Sequence, residues 1–398
     1  MCIQFFLGPA FAYAGLDEYQ YFKYQMRIPA TDYFSYAMPA VLAFIIGLHI
    51  TAGKYKGEIV NEGRIKMFVK RNPQLPYFFI ALGFFASVLS TYFSSELAFV
   101  FYLLGSFKFI GLFLLVLGTK QIKILPMVIV IGSIIASSFN SGMFHDLLTW
   151  IIFTAAVYGI KYRFDFKIKI IGLSVFIFLA LTIQLLKGNF RETKPKDDES
   201  GVETFAKVYE EKRNEGGVFS FQSLATSNVR INQGFIITNI MTTVPDIEPF
   251  ANGDEMYVIL EAAIMPRILA PNKLKAGDRS IFVKYSHIPV APGTSMGLSS
   301  LGDAYINFGV FGGVIFMFFY GLLFSEVLNA FYRNSFQYPV LILFVPLVFY
   351  YPIRPDCELQ TILGHLFKSC FLIFVMIQVW RYKFKMNTLQ PVSKVTSA

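Results

Sequence analysis

Charged residues are scarce in this sequence of 398 residues. They make up 15% of the chain, whereas hydrophobic residues make up 55%, and the mean hydropathy is +0.53. Soluble domains carry about 25% charged residues, so the composition excludes a water-soluble globular protein. The net charge of +9 does not indicate nucleic-acid binding, because the basic residues lie in short segments between apolar runs, where they act as topology signals.

Cysteine and histidine are also rare, with three and four copies. Cys2, Cys357 and Cys370 have no C-x-x-C or metal-ligand spacing, so neither a disulfide framework nor a zinc site is predicted. The sequence contains no P-loop, no Gly-x-Gly-x-x-Gly and no His-Glu-x-x-His motif, which are the signatures of nucleotide and zinc chemistry. We therefore expect neither ATP-driven work nor a metal nor another cofactor.

Long runs of apolar residues are the dominant feature of the sequence. A helix that crosses a bilayer needs about 20 apolar residues, and about 17 to 25 are tolerated. We predict an all-α polytopic membrane protein with nine or ten transmembrane helices, although the fifth and eighth runs are short and Pro346 favours a kink or partial crossing in the eighth. The nine runs are 34–53, 76–94, 97–119, 123–140, 145–160, 168–186, 306–331, 338–352 and 358–380.

Lysine and arginine are unevenly distributed between the connections of these runs. Seventeen lie in the short connections and the C-terminal segment on one side of the predicted membrane, whereas the short connections on the other side contain one, Arg354. Because short cytoplasmic loops carry the excess of basic residues, we predict a bacterial inner-membrane protein with a cytoplasmic C-terminus. The predicted regions are an N-terminal helix bundle (1–187), an extracytoplasmic loop (188–304), C-terminal transmembrane helices (305–381) and a cytoplasmic tail (382–398).

The loop 188–304 is too long for a simple connector, and loops of this length are usually functional. Charged residues crowd its first part, 189–217, which we expect to be a hydrated stretch without stable structure. In its second part, a capped helix is predicted over 226–243, ending before Pro245, and another over 253–264.

Basic residues near the outer membrane face are candidates for contact with an anionic lipid substrate. Guanidinium groups bind phosphate through paired hydrogen bonds and keep their charge. Arg230 and Arg267 are the first candidates, and Lys273 is a further one; headgroup anchoring and ion pairs within the loop are the alternatives. Arg354 lies between two prolines and is a fourth candidate, with an ion pair to Asp356 or Glu358 as its alternative.

If a group is transferred to a hydroxyl at this face, a general base must reach that hydroxyl, and a carboxylate or a histidine could serve. Asp303 is the best-placed carboxylate, beside the start of the seventh apolar run, and capping of that helix is its alternative role. His287 is the other candidate, with an ordinary loop histidine as the alternative.

The order of these residues resembles the Wzy-type O-antigen polymerases, also called oligosaccharide repeat-unit polymerases. That family has an arginine in a large periplasmic loop, then a Pro-Arg…Pro-x-Lys turn, then Gly-[Glu/Asp]-x-Tyr-x-Asn-Phe-Gly at the entry to the next helix. The matching residues are Arg230, Pro266, Arg267, Pro271, Lys273, Gly302, Asp303, Tyr305, Asn307, Phe308 and Gly309.

The resemblance implies a GT-C-like, metal-independent glycosyltransferase that uses undecaprenyl-diphosphate-linked oligosaccharides. Its partners would be these lipid-linked glycans, membrane lipids and a chain-length regulator protein, but not nucleic acid. We assign diphosphate binding to Arg230, Arg267, Lys273 and Arg354, catalysis to Asp303 and His287, and glycan contacts to Gln233, Tyr305 and Asn307.

Two other classes remain open from the sequence. An O-antigen ligase or related lipid-linked glycan transferase would have a similar topology and similar arginines but a different acceptor. A lipid-linked oligosaccharide flippase would need polar residues along many helices and symmetry between its halves. Here the polar chemistry lies in one asymmetric loop, which favours a transferase over a transporter.

Overall fold

Helices form the regular structure of the chain, and no strand occurs among the residues that the computed structural model describes. These residues are 1–15, 24–51, 59–93, 95–121, 123–193, 200–214, 217–220, 231–265, 269–274, 277, 279–290 and 296–383.

The helices are numbered here in chain order. A 3-10 helix over Pro339–Phe344 is left unnumbered. The α-helices are α1 (Ile3–Tyr13, with π-helical geometry up to Leu7), α2 (Ala30–His49), α3 (Glu62–Arg71), α4 (Leu75–Leu89), α5 (Ser95–Gly105), α6 (Phe107–Gly118), α7 (Ile124–Ser141), α8 (His145–Tyr162), α9 (Phe166–Glu192), α10 (Gly201–Asn214), α11 (Gly234–Thr243), α12 (Asp254–Ile264), α13 (Arg279–Ser286), α14 (Ser299–Ser335), α15 (Val345–Val348) and α16 (Leu359–Lys383).

Six helical segments in the described part of the chain are long and apolar enough to cross a membrane. They are α2, the continuous stretch Ala98–Gly118 of α5 and α6, α7, α9, α14 and α16. α3 and α4 make a seventh span only if a pair bent by 84° is counted as one. A helical, multi-pass membrane protein is therefore supported, with fewer complete spans than the nine apolar runs suggested.

The eighth apolar run shows why apolar length alone overestimates the number of spans. It folds into the 3-10 helix Pro339–Phe344 and the four-residue α15, because Pro346 lacks the N–H donor that a continuous α-helix needs at this position. All six side chains of the 3-10 helix are buried. The hydrophobicity of this run therefore serves the protein interior rather than contact with lipid.

Contacts divide the chain into two compact units. Unit 1 consists of Met1–Gly57, Asn228–Arg333 and Leu347–Arg381, and unit 2 of Glu58–Ser227, Asn334–Pro346 and Tyr382–Ala398.

Close packing of α2 against α14 organises unit 1. A Cβ atom added at Gly47 would clash with the backbone carbonyl of Phe318, and one added at Gly321 would clash with the carbonyl of Phe44. At the end of the same pair, the Nδ2 of Asn329 donates a hydrogen bond to the hydroxyl of Thr51 over 2.8 Å. Small residues and polar side chains of this kind are typical of helix interfaces in membranes.

We expect Gly321→Ala to destabilise the protein by about 1–3 kcal/mol, because its new methyl group must displace backbone rather than a flexible side chain. Gly132→Ala on α7 is the matched control, since no atom outside its own helix lies within 4 Å of the added Cβ. That control is expected to be neutral or stabilising, as Ala is favoured over Gly in helices by about 0.5–1 kcal/mol. Thermal unfolding of the two purified variants in detergent measures the difference. Equal midpoints would contradict the close approach of α2 and α14.

Aromatic side chains fill the interior of unit 2 around α6. The ring of Phe107 lies edge-on to those of Phe79 and Phe344, with centroids 5.5 and 5.0 Å away. The ring of Phe109 stacks on Trp150 of α8 with a centroid separation of 4.0 Å. α6 is therefore enclosed by protein along most of its length.

The loop 188–304 begins with more structure than its charge suggested. α9 continues to Glu192. α10 starts with a reciprocal cap between Ser200 and Glu203. The N–H of Ser200 donates to Glu203 Oε2 over 3.0 Å, and the N–H of Glu203 donates to Ser200 Oγ over 3.3 Å. Val208 of α10 is buried with Leu186 and Val218. The expectation of an unstructured stretch is therefore wrong for α10.

The two helices predicted for the second half of the loop have different outcomes. α12 confirms the prediction for 253–264, because Gly253 is its N-cap and Ile264 its last residue. α11 ends at Thr243 as predicted but begins at Gly234. Residues 226–230 of the predicted helix lie outside the described part of the chain.

Candidate functional site

A cleft in unit 1 contains the predicted catalytic carboxylate. The empty space between its side chains is about 320 Å³ when open solvent is included. Its walls come from α12, the segment after it, α13, and the starts of α14 and α16 with the residues just before them. The lining residues are Ile259, Leu274, Ile281, Phe282, Met296, Leu298, Asp303, Glu358 and Gln360.

Asp303 lies in the first turns of α14, with only 5% of its surface exposed. Its Oδ2 accepts a hydrogen bond from the backbone N–H of Leu359 over 2.9 Å. Leu359 is the first residue of α16, where free N–H groups favour a negative charge. Asp303 therefore caps α16 rather than its own helix, and the cap fixes its carboxylate at the wall of the cleft.

Glu358 and Gln360 join the segment after α12 to the start of α16. Oε1 of Glu358 accepts hydrogen bonds from the N–H of Gly277 over 2.6 Å and from the hydroxyl of Thr361 over 2.7 Å. Nε2 of Gln360 donates to the carbonyl of Leu274 over 2.9 Å. Both side chains line the cleft with Asp303. Neither residue was predicted to belong to the site, although an acidic residue at the start of an apolar run is a signal for a helix start.

Two of the predicted glycan ligands have structural contacts within unit 1. Asn307 is 1% exposed and Tyr305 is 6% exposed. The Nδ2 of Asn307 donates to the carbonyl of Asp303 over 2.8 Å, and its Oδ1 accepts from the N–H of Met256 over 3.0 Å. The hydroxyl of Tyr305 donates to the carbonyl of Val244 over 3.3 Å. Neither residue is among those that line the cleft.

Gln233, the third predicted glycan ligand, precedes α11 as its N-cap residue. It is half-buried, and its N–H donates to the carbonyl of Gln4 in α1 over 3.1 Å. The neighbouring Asn232 lies against Gly8. α1 therefore supports the start of α11.

Asn307 supplies the cap that the sequence of α12 lacks. The N-cap residue of α12 is Gly253, which has no side chain, and Met256 occupies the third helical position, where a capping oxygen normally binds. We expect Asn307→Ala to raise amide exchange in the first turn of α12 by about 2- to 30-fold, the equivalent of about 0.5–2 kcal/mol for a lost cap.

Hydrogen exchange followed by mass spectrometry measures this effect. Asn239→Ala is the matched control, because Nδ2 of Asn239 donates within its own helix, to the carbonyl of Phe235 over 2.6 Å. The control is expected to leave exchange in α12 unchanged. Unchanged exchange in the Asn307 variant would contradict the capping role.

The two described cations of the predicted diphosphate site have protein partners. Nζ of Lys273 donates to the carbonyl of Ala262 over 3.0 Å and to that of Met265, so it binds the C-terminal end of α12. Arg354 pairs with Asp356 over 2.8 Å and lies over the ring of Tyr351 at 5.6 Å from its centroid. Burial by itself would lower the guanidinium pKa of Arg354, but the hydrogen bond to Asp356 and the electrostatic interactions with Cys357, Asp356 and Tyr351 together raise it.

The other two predicted cations, Arg230 and Arg267, lie outside the described residues, as does Pro266. In sequence, Arg267 falls between Met265, whose carbonyl binds Lys273, and Leu269. The described parts of the basic segment are therefore attached to α12 through Lys273 and to α16 through Glu358 and Gln360.

A second polar group joins α12 to α13. The hydroxyl of Tyr285 donates to Oε1 of Glu255 over 2.9 Å, and Nζ of Lys284 lies 3.4 Å from the same oxygen. The hydrogen bond with Tyr285 is the main reason why the pKa of Lys284 is raised, while burial raises the pKa of Tyr285. His287, the other predicted base, follows α13 in a left-handed conformation with φ of 52°. It is exposed and is not among the residues that line the cleft.

In the described ranges, no group of three or more His, Cys, Asp or Glu residues is placed to hold a metal ion. The chemistry of the cleft is that of two carboxylates and an amide from the starts of α14 and α16, next to a segment that carries basic residues in sequence.

Comparison with known proteins identifies no relative of this chain. A scan against protein-family models finds no match, and searches of curated proteins and of solved structures find no similar chain.

Proposed function

We propose that this protein is a surface-polysaccharide polymerase of the bacterial inner membrane. It transfers a growing glycan from its polyprenyl diphosphate to a hydroxyl of the next lipid-linked repeat unit. The observation that carries the proposal is the buried carboxylate of Asp303 in a cleft that Leu274 also lines. In sequence, Leu274 directly follows the basic segment that contains Arg267, Pro271 and Lys273.

The polar lining of the cleft suits a sugar hydroxyl better than a diphosphate. Its titratable lining residues are Asp303 and Glu358, and carboxylates accept hydrogen bonds from sugar hydroxyls but repel phosphate. Gln360 adds an amide, which can donate and accept. The acceptor hydroxyl therefore belongs beside Asp303, and the donor diphosphate belongs beside the basic segment.

The proposed reaction needs one proton transfer and one leaving group. The acceptor oxygen forms a bond to the anomeric carbon of the donor glycan while Asp303 takes the hydroxyl proton. The bond between that carbon and the diphosphate oxygen breaks, and its electron pair leaves with the polyprenyl diphosphate. Arg230 and Arg267 stabilise the charge that develops on the diphosphate.

The side of the membrane follows from the distribution of basic residues. The excess of lysine and arginine in the short connections and the C-terminal segment of one side favours a cytoplasmic C-terminus. It supports a position of the cleft at the outer face, where a flipped lipid-linked repeat unit is present. A transferase at this face draws on glycans that another protein has already moved across the membrane.

Deletion of the gene from its native strain tests the proposal and separates it from its rivals. If the protein is a polymerase, the surface polysaccharide ladder should collapse to single repeat units, and the wild-type gene should restore it. Long polymer that accumulates on the polyprenyl carrier would instead indicate a ligase. Complete loss of extracytoplasmic repeat units would indicate a flippase.

A further inference from the structure

α3 departs from the direction of the apolar helix that follows it. The axes of α3 and α4 meet at 84°, across a break of no more than four residues. If α4 crosses the membrane, a helix at nearly a right angle to it runs along the membrane plane. Helices in that position are amphipathic, with one apolar face and one polar, basic face.

The inner face of α3 is apolar and fully packed within unit 2. Ile65, Phe68 and Val69 are 1%, 0% and 7% exposed. The side chain of Val69 lies against Gly118, the last residue of α6, so closely that a Cβ at this glycine would clash with it. α3 is therefore held against the end of the apolar helix α6, at the level where a membrane span stops.

The outer face of α3 combines cations with one apolar side chain. Lys66, Met67 and Lys70 are exposed on adjacent turns, with 50% of the surface of Met67 accessible. Nζ of Lys66 lies 2.6 Å from a carboxylate oxygen of Glu62. Lysine can keep its aliphatic stem near hydrocarbon while its ammonium group stays among headgroups.

Further lysines lie at the same end of unit 2. Nζ of Lys161 on α8 donates to the carbonyl of Thr119, the residue after α6, over 2.8 Å. Lys161 is also close enough to interact electrostatically with Glu62 and Lys66. Lys120 follows Thr119 directly and is exposed. The surface around α3 is therefore predominantly cationic.

We propose that α3 is an interfacial helix that binds the anionic headgroups of phospholipids such as phosphatidylglycerol. Lys66 and Lys70 contact the phosphates, and Met67 enters the boundary between headgroups and acyl chains. Charge complementarity selects anionic over zwitterionic lipid, and the exposed methionine between the lysines favours a bilayer surface over a soluble acidic partner. The site belongs to unit 2, so it does not depend on the reaction proposed for unit 1.

Native mass spectrometry of the full-length protein in detergent tests this inference, with phosphatidylglycerol and phosphatidylcholine of the same acyl chains as probes. We expect the wild type to bind phosphatidylglycerol more tightly. Each lysine near a membrane surface contributes about 5-fold in affinity, so Lys66→Gln with Lys70→Gln should weaken phosphatidylglycerol binding by about 25-fold at low salt. Binding of phosphatidylcholine should not change.

Lys207→Gln with Arg213→Gln is the matched control, because it removes the same charge from exposed positions on α10. Equal affinity of the wild type for both lipids, or an equal loss in the control, would overturn the inference. Inorganic phosphate is compared with chloride at the same ionic strength. Displacement of the lipid by phosphate but not by chloride would identify a soluble-anion site instead of a headgroup site.

Discussion

Arg267→Lys is expected to be nearly as damaging as Arg267→Ala, with a loss of about 10²- to 10³-fold in the rate of polymerisation, typical of removing one preorganised donor to a developing charge. A diphosphate gains negative charge as the glycosidic bond breaks. The planar guanidinium follows that change with paired hydrogen bonds, which an ammonium group cannot reproduce. Surface glycan should shift from a long ladder to single repeat units.

A gel ladder of surface polysaccharide, with protein level followed by immunoblot, measures this effect. Arg213→Lys is the control, since Arg213 is an exposed residue of α10 and its conservative replacement should leave the ladder intact. Full-length polymer from the lysine variant of Arg267 would exclude the paired contact. A normal ladder from the alanine variant would remove Arg267 from the site.

Asp303→Asn is expected to lower the rate by about 10²- to 10⁴-fold, the usual contribution of a general base, without unfolding the protein. The amide oxygen of asparagine can still accept the hydrogen bond that the N–H of Leu359 donates to Asp303. The amide cannot take a proton from the acceptor hydroxyl. The variant therefore separates the catalytic role of Asp303 from its capping of α16.

Asp303→Ala is the companion to that variant, because it removes both roles. Its thermal midpoint should fall by an amount equivalent to about 0.5–2 kcal/mol, the cost of a lost helix cap, whereas that of Asp303→Asn should stay close to the wild type. A full ladder from Asp303→Asn would leave Asp303 with a structural role alone.

The apolar runs predicted most of the helices, because burial from water, whether in lipid or in protein, selects the same side chains. For that reason they could not distinguish α14, which is long enough to cross a membrane, from the buried 3-10 helix Pro339–Phe344. At α10 the error was the opposite one, because the high charge of the segment predicted a stretch without stable structure. The helix is nevertheless stabilised by a reciprocal cap at its start and by the burial of Val208.

The motif around Asp303 could be found in sequence, but the direction of its side chains could not. Asp303 and Asn307 are one helical turn apart and in contact, yet Asp303 lines the cleft while Asn307 caps α12. Glu358 and Gln360 were missed because they reach the cleft through the start of α16, far away along the chain. Only the packing of α14 against that helix start brings them together.

Reconstitution of the purified protein in liposomes with undecaprenyl-diphosphate-linked repeat units of its own strain tests the central claim most directly. If the protein is a polymerase, lipid-linked glycans of increasing length should form, with one undecaprenyl diphosphate released for each new glycosidic bond. The Asp303→Asn variant should form little product. Repeat units that remain unjoined with the wild type, or that cross the membrane without forming a bond, would contradict it.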